Sequence, residues 1–86
     1  MRAEDILPDD VNQGEFAGVT VRKGSVAAFL ANARIIADPA RPAEAHALAR
    51  RHIAEALPAL RAVGLFEVMQ VRDPALRAWV DAAQNV

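Results

Sequence analysis

Between Val26 and Ala37 the chain is apolar at every position except Asn32 and Arg34. The stretch Ser25 to Asp38, SVAAFLANARIIAD, predicts a helix. At 100° per residue Val26, Phe29, Leu30, Ala33 and Ile36 form one stripe. Ala28, Ala31 and Ile35 form a second, roughly opposite it. A surface helix of a small protein usually has one apolar stripe and a polar back, so this one calls for cover on both sides.

The flanking patterns are easier to place. Val19 and Val21 alternate with Thr20 and Arg22, which predicts a short half-buried strand within Phe16 to Lys23. Gly24 breaks it, and Ser25 suits an N-cap because a serine hydroxyl can accept a free backbone N–H. Asp38-Pro39 and Arg41-Pro42 end the helix, since proline disfavours helix in the residue before it. A second helix is expected from Pro42 to Val63, with Pro42 in its first turn, Glu44 favouring the dipole and Gly64 as its stop. Its apolar face is Ala49, Ile53, Ala56, Leu57 and Leu60; Arg51 and Glu55 pair on the far side. Pro58 predicts a kink or break near Glu55–Pro58.

Leu65 to Arg72, LFEVMQVR, reads as a second strand, with continued helix as the alternative. Asp73 then caps a third helix with Pro74 at its first position and Leu76, Trp79, Val80 and Ala83 on its apolar face. The expected fold is a small single α+β domain over residues 16–86, β-α-α-β-α, with a two-stranded sheet packed on three helices. Residues 1–15 are expected to form an acidic, mobile arm.

Val21-Arg22-Lys23-Gly24-Ser25-Val26-Ala27-Ala28-Phe29-Leu30-Ala31-Asn32-Ala33 resembles a segment from a family of small uncharacterised bacterial proteins. The resemblance covers about a sixth of the chain and includes no catalytic signature. It implies a small α+β domain and a bacterial origin, and no activity.

Composition narrows the chemistry. Eighty-six residues make one domain, and a chain of that size buries only about 60–65% of its unfolded surface. Oligomerisation is a common remedy for so small a core. The absence of cysteine removes disulfides and thiolate metal sites. The first ten residues lack the basic start and apolar core of a secretory signal. No run approaches the ~18 apolar residues of a membrane span. A cytoplasmic location with no membrane partner is therefore expected. Arginine outnumbers lysine nine to one, a bias that a GC-rich coding sequence explains without selection for function. The net charge of −1 is uneven: residues 1–16 carry −4 and the remainder +3.

Few side chains could do chemistry. The only hydroxyls are Thr20 and Ser25, there is no tyrosine, and no Gly-x-Ser-x-Gly elbow surrounds Ser25. His46 and His52 are six apart, about 120° round a helix, so they do not share a face as i,i+4 metal ligands do. His46, beside the apolar face, is read as satisfied by a backbone carbonyl or water. Arg22, Lys23 and Ser25 precede a helix start and could hold a phosphate or carboxylate, though without P-loop spacing. A helix-turn-helix reading fails on the proline-rich joint and on arginines 41, 50, 51 and 61 spread round the wheel, so nucleic acid is disfavoured.

The expected function is a non-enzymatic, protein-binding or self-associating module, with no cofactor, metal or catalytic residue. Its partner is itself, as a homodimer, or an unidentified protein. Phe29, Ile35, Ile36 and Trp79 are the expected interface. The alternative is anion, ligand or nucleic-acid binding at Arg22, Lys23 and Ser25.

Overall fold

The computed structural model describes residues 1–84. The chain runs α1 (Ala3–Ile6), β1 (Gln13–Phe16), β2 (Val19–Arg22), α2 (Ser25–Ala37), α3 (Ala43–Ala62), α4 (Leu65–Val68) and α5 (Pro74–Gln84). The α+β class holds, as does the two-stranded sheet on helices, but the sheet is built differently from the sequence expectation. It is an antiparallel hairpin in which Gln13 faces Arg22, Gly14 faces Val21, Glu15 faces Thr20 and Phe16 faces Val19. Ala17 and Gly18 turn it with φ of 49° and 79°. Two positive φ values in a two-residue loop match the right-handed twist of the strands they join.

The boundary expected at residue 16 therefore falls inside the hairpin. The acidic segment is also tied to it. The Lys23 backbone N–H donates to the Asn12 carbonyl at 2.7 Å, and the Lys23 ammonium donates to the Pro8 carbonyl at 2.8 Å. Leu7 lies so close over Gly14 that a Cβ there would meet its Cδ2 at 2.9 Å.

Leu65–Val68 is a single helical turn, not a strand. Gly64 decides this. At φ 85° it ends α3, donating its N–H to the Arg61 carbonyl at 3.0 Å, and its own carbonyl accepts the Glu67 N–H at 3.1 Å. The left-handed glycine thus redirects the chain straight into a new turn. Residues 69–73 then run without regular structure to α5.

Helix α3 is the spine. It buries Ala49, Ile53, Leu57 and Leu60 and half-buries Ala56, the face its periodicity marks. Of the kink or break expected near Glu55–Pro58, the break does not occur: the helix is continuous through Pro58. The buried cluster joins these residues to Phe29 from α2 and to Leu76 and Val80 from α5, with Ile53 and Leu60 fully shielded. Val21 packs from the hairpin. The chain therefore has one core, and α2 and α5 both lean on α3.

Helix ends are secured locally. The Asp73 carboxylate accepts the Leu76 N–H at 2.8 Å, the expected cap. Asp73→Ala removes it and leaves that part-buried N–H without a partner. We expect a loss of about 1 kcal/mol, read as a lower urea midpoint with unchanged slope. Ser25 departs from expectation. Gly24, at φ 90°, occupies the cap position of α2, and the Ser25 hydroxyl donates back to the Arg22 carbonyl at 2.6 Å.

Candidate functional site

An open groove of about 910 Å³ runs along α2. One wall is α2 itself, through Val26, Leu30, Ala33, Ile36 and Ala37. The other is Leu65 and Phe66 of α4, the 69–73 segment, and Ala75 and Trp79 of α5. Buried Phe29 and Leu76 lie at its base. Phe29 and Phe66 tie the walls edge to face, with ring centroids 5.8 Å apart and planes at 78°. Such a T-shaped pair is favourable because a positive ring edge meets a negative face.

The sequence explains why the groove stays open. Helix α2 turns Phe29 into the core, but its first apolar stripe is wider than α3 can cover. Val26 is left 40% exposed and Leu30 51%. On the opposite side Met69 is 61% exposed. The radius of gyration, 13.7 Å, exceeds the roughly 12 Å of a compact chain of this length.

Charge sits at its edges. Arg34, Arg50 and Arg72 line the groove together with Asp73. The Asp73 carboxylate is already engaged by the Leu76 N–H. Among the described residues the three guanidinium groups form no hydrogen bond or ion pair; the ion pair found is Arg2 with Glu4 at 3.8 Å, elsewhere on the chain.

Of the four expected interface residues, Phe29, Ile36 and Trp79 meet in this groove. Phe29 serves as floor, not as an exposed anchor, being only 6% accessible. Ile35 does not line it; it is half-buried on the other flank of α2. The sequence reading missed Phe66 and Arg72, because a strand over 65–72 does not turn toward α2. It also passed over Arg34, which lies on the groove side of the helix. The stripe that named Val26, Leu30 and Ala33 carried the signal for the wall.

The second candidate, Arg22, Lys23 and Ser25, is a surface corner between β2 and α2. Its polar groups turn inward onto the backbone: the Lys23 ammonium reaches the Pro8 carbonyl at 2.8 Å and the Asp9 carbonyl at 3.3 Å, and Ser25 donates to Arg22. His46 also serves structure. Its Nε2 lies 2.8 Å from the Asp38 carbonyl, so the first turn of α3 is fastened to the end of α2. No group of three His, Asp or Glu side chains that could hold a metal occurs among the described residues. No helix among them is long and apolar enough to cross a membrane.

Compared with protein-family models, curated proteins and solved structures, the chain matches none, and a functional reading rests on the groove and its rim.

Proposed function

We propose that this chain is a small, non-enzymatic protein-binding module, and that the groove between α2 and the α4–α5 segment is where its partner docks. One observation carries the reading: a continuous apolar groove with half-exposed Val26 and Leu30 along one wall. Concave apolar grooves with a few polar groups at their edges are a common form of binding site. Two walls formed by near-neighbour helices suit the helix-in-groove mode, in which a partner helix lays an i, i+3, i+4, i+7 stripe between them. The anion-binding alternative at Arg22, Lys23 and Ser25 has weaker support, since two of its three groups already donate to carbonyls of their own chain.

Trp79 is the chain's one tryptophan and lines the groove, which makes it a reporter. A tryptophan-free, sixteen-residue amphipathic helix with a leucine stripe and glutamine elsewhere should shift Trp79 emission to the blue in a saturable way. Leu30→Gln should weaken that binding about tenfold while leaving the unfolding midpoint unchanged, because it removes exposed apolar area and no core contact. Absence of any saturable shift overturns the reading.

A further inference from the structure

Resting on that reading of the groove, we propose that its partner is another protein's acidic amphipathic helix, its carboxylates set on either side of the apolar stripe to meet Arg34, Arg50 and Arg72. Each of the three lies on the groove, each is exposed, and none has a partner among the described residues. They also come from three separate elements: Arg34 from α2, Arg50 from α3, Arg72 from the segment before α5. A guanidinium keeps its charge at all relevant pH values and prefers a planar carboxylate, which it can grip through two N–H groups. The one carboxylate on the groove, Asp73, accepts the Leu76 N–H and keeps its charge, one anion against three guanidinium groups. The rim is thus left with a net positive charge around an apolar floor.

Length fits as well. Helix α2, at thirteen residues, is about 20 Å long, and α5, at eleven, about 16 Å. A helix lying between them is engaged over about three turns. That excludes the chain's own acidic segment as the natural occupant, for α1 has only four residues. Pairing two grooves of this protein face to face is also disfavoured. It sets three arginines of one copy against the same three of the other, and like charges across an interface are costly. A nucleic acid would satisfy the arginines but gain little from the α2 wall of Val26, Leu30, Ala33 and Ala37, while on the facing wall Phe66 and Trp79 are half-buried.

The test uses three sixteen-residue peptides that share one leucine stripe and carry Glu, Gln or Lys at the flanking positions, read by Trp79 emission. At 0.1 M salt the Glu peptide should bind about tenfold tighter than the Gln peptide, the combined effect of three surface ion pairs. The Lys peptide should bind more weakly than either. At 1 M salt, where the screening length falls to about 3 Å, the three affinities should converge. The triple variant R34Q/R50Q/R72Q should lose the preference, binding the Glu and Gln peptides with equal affinity. Equal affinities at 0.1 M, or a preference that survives in the triple variant, overturns the acidic-partner proposal while leaving the groove as a docking site. Failure of all three peptides to shift Trp79 overturns the groove reading itself. Emission that depends on the protein's own concentration makes a second copy the occupant, and an oligouridine that displaces the Glu peptide makes a nucleic acid the occupant; either overturns the proposal.

Discussion

Leu60→Ala should cost about 3 kcal/mol and lower the melting temperature by roughly 12–24 °C. Leu60 is fully shielded from solvent at the centre of the one core, on the same helix that carries Ile53 and Leu57. Its truncation loses the transfer energy of the removed carbons and leaves a cavity that packed neighbours only partly fill. An 86-residue domain has about 4–13 kcal/mol of total stability, so the variant loses a large share of it. The control is Leu48→Ala on the same helix. Leu48 is 43% exposed, and alanine suits a helix interior at least as well, so the change should stay within about 0.5 kcal/mol. Urea unfolding of both variants gives the comparison. Similar losses at the two positions would mean that α3 does not bury the face its periodicity marks.

What the sequence made legible follows from how local each signal is. The α3 face needs only a 3.6-residue period, and Ala49, Ile53, Leu57 and Leu60 are where that period places them. The Asp73-Pro74 start of α5 needs only capping chemistry, and the Leu76 N–H confirms it. The hairpin was missed because its turn is Ala17-Gly18, without the Asn or Asp that usually advertises two positive φ values, and because Gly14 masks the alternation of β1. Leu65–Arg72 was misread because Phe and Val content is a property of burial in general. The competing signal was Gly64, which both ends α3 and starts α4. Ser25 looked like a cap because serine often is one, but Gly24 in the left-handed region took that position. The groove was half legible. The over-wide stripe of α2 announced that some surface would stay uncovered, and the three arginines around it became a group only when three elements met.

Helix α3 should be more stable without its proline. Pro58 sits inside a helix that runs uninterrupted from Ala43 to Ala62, and its side chain is exposed. With no N–H it cannot donate to the carbonyl of Ala54, and its ring crowds that carbonyl, together a cost near 3 kcal/mol in a helix interior. The helix nevertheless continues, because Leu57 and Leu60 on either side are buried against α2 and α5 and hold the turn in place. Proline returns part of the cost by restricting the unfolded chain, about 0.4–1 kcal/mol. Pro58→Ala should therefore stabilise the protein by about 2 kcal/mol, a rise of roughly 8–16 °C in melting temperature. Pro58→Gly restores the N–H but has the poor helix propensity of glycine, so it should recover about 1 kcal/mol less than alanine. Thermal unfolding of the two variants beside the parent separates the missing hydrogen bond from propensity. A Pro58→Ala protein no more stable than the parent would show that the turn around Pro58 has already relaxed at no cost.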